Sequence, residues 1–325
     1  MILVYRIRTF AGTFLKMRTN RLINWLLFLV LSIIWGSSFI LMKHSKEELS
    51  ASQIAALRIF AAGLMLLPLA LYHITRIPSK KIFIIVLSGI TGNLLPAFLF
   101  ALAIAKNIDS SLAGILNSFT PIFVVLIAIV IFRDRIKIQK IIGVVIGFVG
   151  LTLLFVLSKG ISFENFKYAL LILFATVLYG VNVNMVGHFL KEIPPLYIAT
   201  ISLACMLVPT TAVLWQQNFL QLAFHETGVQ WAIVEVVMLG IVGSAMATAL
   251  FYILIKRAGG IFASLVTYGV PFIGIVWGVL DGEKITIKQV GCLGVILFGV
   301  YLANLRNKKA GKAPVLLSEE FAEGN

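Results

Sequence analysis

The feature that most constrains this chain is a series of long uncharged segments that recurs from one end to the other. Between Arg21 and Lys43 lie 21 uncharged residues, and runs of similar length follow throughout. A helix of about 20 apolar residues crosses the hydrocarbon core of a bilayer. Helices are the expected spanning element, because a β-barrel would show alternating segments of about ten residues. The chain is therefore predicted to be an all-α integral membrane protein.

The uncharged segments, delimited by charges, predict ten transmembrane helices. Only 12% of the 325 residues are charged, against about 25% in soluble proteins, and no long polar stretch is left for a separate domain. The predicted spans are 22–42, 51–72, 82–105, 110–132, 141–158, 168–190, 194–215, 231–255, 258–280 and 289–305. Residues 1–21 and 306–325 remain as predicted terminal tails.

Lysine and arginine are distributed unevenly between the two sides that ten spans define. With the N-terminus in the cytoplasm, 19 of the 27 basic residues fall inside, 7 fall outside, and Arg58 lies within a span. The positive-inside rule therefore predicts that both termini are cytoplasmic. Contact with anionic lipid accounts for the formal net charge of +14. No nucleic-acid partner is expected.

The two halves of the chain resemble each other in sequence. Residues 103–123 align with residues 253–273 at a constant offset of 150. Each half holds five predicted spans, an odd number, so the second copy must cross the membrane in the opposite sense. The predicted inverted repeats are 22–158 and 167–305. Transporters are commonly built this way, with the substrate site at the midplane between the copies.

Three stretches of the first half carry a family resemblance. They are WGSSF at 35–39, ALRIFAAGLMLL at 56–67, and a helix–proline–basic-acid turn–glycine-rich helix order over 100–154. This pattern closely resembles the EamA domain of the drug/metabolite transporter superfamily, and residues 168–305 resemble a second copy. The resemblance implies a central cavity and export of small metabolites, such as amino acids, across a bacterial-type inner (plasma) membrane. One departure is Asp134, where the acid after the fourth helix is usually Glu.

One proline lies at a matched position in each copy. Pro121 and Pro271 are related by the offset of 150, and a turn with a basic-flanked acid follows each of them, at Asp134 and Glu283. Proline removes a backbone hydrogen bond and loosens the turn before it. We therefore predict that the two prolines act as paired hinges.

Polar residues within the predicted spans are candidates for substrate binding, because they are costly in hydrocarbon and usually face a cavity or a partner helix. Asn117 lies one turn before Pro121, so its amide would sit beside a freed carbonyl. Tyr179 and Asn182 share a helix face, from which Asn184 points away. The predicted substrate-binding residues are Trp35, Ser38, Asn93, Asn117, Tyr179, Asn182 and Tyr268. The alternative role for Asn117, Tyr179 and Asn182 is a helix–helix hydrogen bond, worth about 1 kcal/mol. For the stretch 36–38 the alternative is close helix packing through small residues.

Two charged residues fall inside predicted spans. Arg58 is interpreted as a structural anchor that reaches outward or pairs with Glu47 or Glu48, in preference to a ligand for a substrate carboxylate. Glu235 is the candidate for ion coupling. It lies about 6 Å inward of Trp231, at 1.5 Å per residue. That depth lets its carboxylate reach water, so a solvated or structural role is favoured over that of a proton carrier.

We predict a transporter and no enzyme, cofactor or metal site. The four histidines are scattered, and neither cysteine has a Cys or His at zinc spacing. The expected partners are a small-molecule substrate and the lipid bilayer, with the chain as a monomer or a homodimer. Two alternatives stay open: a multidrug or nucleotide-sugar carrier of the same superfamily, and a membrane-embedded lipid-modifying enzyme. A nucleotide sugar would require several basic residues in the cavity, and the spans offer only Arg58.

The charge distribution predicts where reporters fused to the chain will be found. A reporter joined after Lys312 is expected in the cytoplasm. One inserted in the loop 216–229 is expected outside, because that loop holds no Lys or Arg. The measurement compares alkaline phosphatase and green fluorescent protein at both positions, since each is active on only one side of the membrane. Exchanged locations would contradict the inverted-repeat interpretation.

Overall fold

The computed structural model describes residues 2–106, 108, 110–158, 166–280 and 286–305. These residues form helices and short turns, and none of them lies in a β-strand. The prediction of an all-α chain is therefore confirmed for the part that the structure describes. Glu283 and the predicted C-terminal tail, 306–325, lie outside the described residues.

The first half of the chain holds seven helices and one π-helical segment. In order they are α1 (Ile2–Ser45), α2 (Ala51–Ile74), α3 (Ser79–Gly89), the first π segment (Ile90–Leu94), α4 (Leu95–Ala105), α5 (Ser110–Asn117), α6 (Thr120–Val130) and α7 (Ile138–Ser158). Helix α3, the first π segment and α4 follow one another without a break. Because α1 begins at Ile2, the predicted N-terminal tail is a helical continuation of the first span.

The second half begins with α8 and holds a second π segment in an equivalent place. Its elements are α8 (Phe166–Phe189), α9 (Pro195–Ala204), α10 (Leu207–Gln216), a 3-10 turn (Phe219–Gln221), α11 (Thr227–Met238), the second π segment (Leu239–Met246), α12 (Ala247–Ala258), α13 (Gly260–Ser264), α14 (Val266–Leu280) and α15 (Ile287–Asn304). The second π segment joins α11 to α12, as the first joins α3 to α4.

Six helical stretches are long and apolar enough to cross a membrane. They are Arg21–Phe39, Ala51–Ile74, Ser79–Ala105, Lys167–Phe189, Pro195–Gln216 and Thr227–Ala258. Four shorter apolar helices coincide with the other predicted spans: Thr120–Val130, Ile138–Leu154, Gly260–Ile273 and Val290–Ala303. The chain is therefore a membrane protein with several spans, and the count of ten stays a prediction.

The outer surface of the helix bundle is apolar. Large side chains such as Leu22, Phe83, Ile131 and Val208 are largely exposed. Soluble monomers rarely expose contiguous apolar patches of more than a few hundred Å². Lipid chains are the medium that suits this surface.

Two of the predicted spans are interrupted helices. The span 110–132 consists of α5 and α6, which are separated by a turn at 118–119. Pro121 lies in the first turn of α6, where the missing N–H costs no helical hydrogen bond. In the second half, Leu265 separates α13 from α14, and Pro271 lies inside α14. The two prolines, although matched in sequence, therefore occupy different positions in their helices.

Helices α7 and α15, the last of each predicted repeat, pack directly against each other through glycines. A Cβ placed on Gly143 would lie 2.5 Å from the backbone nitrogen of Ala303. One placed on Gly299 would lie 2.4 Å from the backbone nitrogen of Gly147. The absence of side chains at these glycines lets the two backbones approach closely, which is how many membrane helices associate.

Replacing Gly299 by alanine is expected to destabilise the protein, because the new methyl group would meet the backbone of α7. Overpacking of this kind costs about 1–3 kcal/mol. The matched control is Gly294→Ala in the same helix, where nothing lies within 4 Å of the added Cβ. Alanine there should be neutral or should stabilise by up to about 1 kcal/mol. The measurement is the thermal unfolding midpoint of the purified protein in detergent, and equal midpoints would contradict the close contact.

Candidate functional site

A central cavity lies among helices from both halves of the chain. Its walls come from α1, α2, α4, α5, α6, α8, α12, α13, α14 and both π segments. Six of the seven predicted substrate-binding residues line it: Trp35, Ser38, Asn93, Asn117, Tyr179 and Asn182. Among the described lining residues, Arg58 carries the only charge.

Tyr268 does not line this cavity. Its side chain is fully buried, and its hydroxyl donates to the carbonyl oxygen of Val144 at 2.8 Å. A Cβ placed on Gly147 would lie 2.4 Å from the Tyr268 ring. Tyr268 therefore joins α14 to α7 as a packing residue. Polarity within a span identified it as a candidate, but the glycine gap that receives its ring could not be seen in the sequence.

Asn182 belongs to a hydrogen-bonded network in the cavity wall. Its Nδ2 donates to the carbonyl oxygen of Ser88 at 2.9 Å and to the hydroxyl of Tyr252 at 3.3 Å. The hydroxyls of Ser88 and Tyr252 lie 2.9 Å apart. A Cβ placed on Gly92 would lie 1.6 Å from the Asn182 Nδ2, so only glycine leaves room for this amide. The network ties α3, α8 and α12 together.

Asn93 lies in the first π segment, next to this network. Its Oδ1 accepts a hydrogen bond from the Thr248 hydroxyl at 2.9 Å. Its Nδ2 is buried and has no hydrogen-bond partner among the described residues. Single π-helical turns inside α-helices occur frequently at functional sites. Here the turn places an unfilled donor in the cavity wall.

Asn117 ends α5 at the cavity. Pro121 has no N–H to donate to the backbone carbonyl oxygen of Asn117, which accepts instead from the Thr120 hydroxyl at 2.7 Å. In the second half, the carbonyl oxygen of Thr267, which Pro271 leaves free, lies 3.3 Å from the Ser118 hydroxyl. The Ser118 hydroxyl donates more closely to the Gly114 carbonyl oxygen, at 2.8 Å, so of the two freed carbonyls only that of Asn117 has a close hydroxyl donor. The Asn117 amide side chain, and not its carbonyl, is the group that a substrate could contact.

Helix α1 approaches the second π segment through Trp35 and Ser38. The Trp35 Nε1 donates to the carbonyl oxygen of Gly243 at 3.1 Å, and its ring meets Phe251 edge to face at 5.2 Å between centroids. The Ser38 hydroxyl lies 3.1 Å from a Cβ placed on Gly243 and donates to the carbonyl oxygen of Ile34. The indole and the hydroxyl each donate to a backbone carbonyl oxygen, so both groups have fixed positions in the cavity wall.

The aromatic part of the wall comes from three helices. Phe100 has its ring centroid 6.1 Å from that of Phe39 and 6.3 Å from that of Tyr179. All three side chains line the cavity. They provide a contiguous apolar surface suited to a hydrophobic or aromatic part of a ligand.

Arg58 occupies a position that differs from the one expected. Its Nε donates to the Ser244 hydroxyl at 2.7 Å, and its Nη2 lies 3.4 Å from the carbonyl oxygen of Gly243. The ion pairs of the described residues do not include Arg58. The prediction that Arg58 reaches outward to Glu47 or Glu48 is therefore wrong. The guanidinium turns inward because the second π segment supplies acceptors beside the cavity.

One signal in the sequence could have found the acceptors of Arg58. Applying the repeat offset of 150 to Asn93 points to Gly243, and Ser244 follows it directly. Both residues lie in the second π segment and line the cavity. Glycine at the matched position carries no polar side chain, so polarity alone does not mark this segment as a site.

Glu235 lies away from the central cavity. Its Oε2 accepts from the Ser45 hydroxyl at 3.0 Å, and its Oε1 lies 3.6 Å from the Nδ1 of His44. Its side chain is 23% exposed, so water reaches it. Within the described residues, no group of three or more His, Cys, Asp or Glu could hold a metal ion.

A second cavity, of about 460 Å³, lies at the opposite end of α8 from Lys167. Lys140, Lys191 and Lys256 line it. At its edge, His188 pairs with Asp134 at 3.1 Å. Asn184 does not line the central cavity; its Nδ2 donates to the carbonyl oxygens of Val124 and Gly180. The three lysines give the second cavity a basic lining at the predicted cytoplasmic ends of its helices.

Comparison with known proteins decides the family. The EamA-like transporter family matches the chain twice, over residues 22–156 and 166–305. The chain belongs to this family. An uncharacterized transporter of Archaeoglobus fulgidus is 25% identical over 282 residues, which cover 86% of this chain and 98% of the relative. The uncharacterized inner membrane transporter YedA of Escherichia coli is 25% identical over 85% of this chain and 88% of its own.

The fold is shared with a solved structure. A crystal structure of another protein matches 88% of this chain and 97% of its own chain, with a TM-score of 0.65 and 18% sequence identity. The family assignment confirms the resemblance found in the sequence. This EamA-family protein is a membrane transporter, and the curated relatives are named as transporters.

Two asparagines of the cavity are expected to respond differently to substitution. Asn182→Leu should lower thermal stability, because a buried polar group left unsatisfied costs about 1–3 kcal/mol and the Ser88–Tyr252 network loses its centre. Asn117→Leu should lower stability less than Asn182→Leu, and both Asn117→Leu and Tyr179→Ala, while still inserted in the membrane, should alter the apparent affinity or range of substrates. The measurements are unfolding midpoints in detergent and concentration dependence of uptake into vesicles. Unaltered kinetics in both Asn117→Leu and Tyr179→Ala would remove these residues from the site.

Proposed function

We propose that this chain exports small metabolites, amino acids among them, across an inner (plasma) membrane by alternating access. The observation that carries the proposal is the central cavity, whose walls come from both halves of the chain. Two inverted five-helix repeats, 22–158 and 167–305, meet at this cavity. Transporters of this construction bind their substrate at the midplane between the copies.

Matched glycine contacts support the inverted-repeat arrangement. A Cβ placed on Gly240 would lie 2.4 Å from the carbonyl oxygen of Arg58, and one placed on Gly89 would lie 2.4 Å from that of Ser202. Helix α2 of the first half therefore packs against the second π segment, and α9 of the second half packs beside the start of the first. The same contact occurs twice, with the two halves exchanged.

The lengths of the interrupted helices support ten crossings. Helices α5 and α6 together run from Ser110 to Val130, which is about 30 Å at 1.5 Å per residue. Helices α13 and α14 run from Gly260 to Leu280 and have the same length. The hydrocarbon core is about 30 Å thick. Each interrupted pair therefore counts as one crossing, which makes five in each repeat.

The second cavity offers a route between the central cavity and the cytoplasm. Val183 lines both cavities. A Cβ placed on Gly260 would lie 2.6 Å from the Cγ1 of Val183. This contact joins α8 and α13 at Val183, the residue that the two cavities share. A small separation of the two helices would join the cavities, as alternating access requires.

The prolines fit a hinge role in this cycle. The carbonyl oxygen of Asn117 accepts from the Thr120 hydroxyl, and that of Thr267 lies 3.3 Å from the Ser118 hydroxyl, whose closer acceptor is the Gly114 carbonyl oxygen. A hydroxyl can turn to another acceptor while the backbone bends, whereas a helical hydrogen bond would have to break. Pro121 therefore marks a hinge at the turn between α5 and α6, and Pro271 marks one inside α14.

The cavity argues against a nucleotide-sugar carrier. A diphosphate is usually held by several Arg or Lys residues, and Arg58 is the only basic residue among the described lining residues. The curated relatives, which are named as transporters, support transport over lipid modification. Export of a small, weakly charged metabolite fits these walls.

Uptake into sealed vesicles containing the purified protein tests the proposed function. Labelled amino acids and other small metabolites should include at least one that enters with saturable kinetics. Vesicles without protein are the blank, and an unfolding midpoint confirms that the protein is folded. Folded protein with no saturable uptake of any solute in the panel would refute metabolite transport.

We expect Glu235→Gln to leave uptake within about a factor of two of the unsubstituted protein, because a partly exposed ion pair contributes only about 0–1 kcal/mol. Glu235 lies outside the cavity and its partners are Ser45 and His44. Transport should therefore follow the substrate gradient without obligatory proton coupling. The measurement is uptake with and without an imposed pH gradient. If the pH gradient alone concentrates substrate, and Glu235→Gln abolishes that, Glu235 is the coupling residue.

A further inference from the structure

Among the described residues, Arg58 in the central cavity has no carboxylate as a counter-charge. A guanidinium carries five N–H donors. Those of Arg58 meet the Ser244 hydroxyl at 2.7 Å, the Gly243 carbonyl oxygen at 3.4 Å and the Met42 sulfur at 4.0 Å. None of these acceptors is charged. Because no carboxylate of the described residues pairs with Arg58, an anion from outside the chain would complete it.

The depth of Arg58 in the membrane makes its lack of a charged partner among the described residues informative. Arg58 lies about 10 Å from the start of α2, at 1.5 Å per residue. Charged side chains within the membrane are rare, and they pair with one another or mark the path of a substrate or an ion. A guanidinium that served only as a structural anchor would be expected to have a carboxylate beside it or to reach the interface. Arg58 does neither.

Asn93 provides a second, independent observation in the same cavity. Its Nδ2 is buried and lacks an acceptor among the described residues, while its Oδ1 is already occupied by Thr248. Buried donors are nearly always paired. Arg58 and Asn93 therefore place two donor groups in one cavity, and a ligand with acceptor oxygens would suit both.

The rest of the wall describes the remainder of the ligand. Phe39, Phe100 and Phe251 provide apolar surface, and the described lining residues include no Asp or Glu. A ligand ammonium group would therefore find no carboxylate in this wall. The cavity has a single positive charge, which a ligand with one negative charge and no positive charge would balance.

We propose that the cavity selects monocarboxylates with an apolar or aromatic body, with Arg58 as the carboxylate-binding residue. This assignment rests on the proposed function and narrows its small metabolites to monocarboxylates, in preference to zwitterionic amino acids. Arg58 binds the carboxylate through its free N–H donors, and Ser244 holds the guanidinium in position through Nε. Asn93 donates to an acceptor oxygen of the ligand.

The test uses pairs of ligands that differ only in charge. Phenylacetate and phenylacetamide form one pair, 4-methylpentanoate and 4-methylpentanamide form the other, and L-phenylalanine serves as the zwitterion. Binding to the purified protein in nanodiscs is measured by titration calorimetry. At least one acid should bind about 10- to 100-fold more tightly than its amide and than L-phenylalanine, as expected for a hydrogen-bonded charge. Equal binding within both pairs, tighter binding of L-phenylalanine, or no binding of either acid would overturn the proposal.

Three variants assign the preference to Arg58. Arg58→Gln should abolish the difference between acid and amide, and Arg58→Lys should retain part of it, because a lysine keeps the charge without the planar fork. Arg76→Gln is the matched control, since it also removes one arginine charge but lies exposed against the Tyr72 ring, outside the cavity. A preference for acids that persists in Arg58→Gln would contradict the assignment.

Stability without ligand separates binding from a structural role. Removing an unpaired buried charge should leave the unfolding midpoint of ligand-free Arg58→Gln equal to or above that of the unsubstituted protein. A clearly lower midpoint would indicate that Arg58 is a structural anchor. Chloride alone is a further arm: an Arg58-dependent stabilisation by chloride, with none by the acids, would identify an inorganic-anion site and overturn the proposal.

The uptake assay keeps this inference distinct from the proposed function. Acids that bind through Arg58 but never enter vesicles would leave the binding assignment intact and refute transport. Saturable uptake of amino acids or neutral solutes, with no acid preference in binding, would leave transport intact and refute the monocarboxylate site.

Discussion

In the hydrocarbon core of a bilayer, each backbone N–H and C=O must find its partner within the protein. Continuous helices meet this demand for most of the chain. Where the prolines interrupt it, the Thr120 hydroxyl donates to the free carbonyl oxygen of Asn117, and the Ser118 hydroxyl lies 3.3 Å from that of Thr267. All four residues are buried. The interruptions are therefore confined to places inside the protein, away from lipid.

The lipid surroundings also explain why the helices of this protein approach each other closely. Lipid tails are as apolar as leucine, so helices associate through packing and hydrogen bonds and not through exclusion of water. Glycines in both π segments and in α7 and α15 allow backbones and polar side chains to touch, as Gly92 does for the Asn182 amide. The polar atoms of the cavity wall are thereby held by backbone groups and by one another. A preorganised wall of this kind loses little freedom when a ligand binds.

Arg58 lowers the stability of the membrane-inserted protein, and the same charge is the group proposed to bind the ligand. A charged residue at the centre of a membrane helix costs about 2.5–3.5 kcal/mol on insertion scales. The Ser244 hydroxyl and the Gly243 carbonyl recover part of that cost without neutralising the charge. A ligand anion would recover the rest, so binding energy and relief of an unpaired charge would act together. This coupling explains why a single arginine can dominate the selectivity of an otherwise neutral cavity.

The sequence by itself determined the membrane class, the all-α fold and the family, because each depends on local hydropathy or on motifs contiguous in the chain. It also identified six of the cavity residues, since a polar side chain in an apolar span stands out without knowledge of its neighbours. Only the tertiary structure decided that Tyr268 packs into the gap at Gly147 and that Arg58 turns inward to Ser244. Both outcomes depend on partners more than a hundred residues away, and the packing of distant helices is not encoded in the polarity of any one segment.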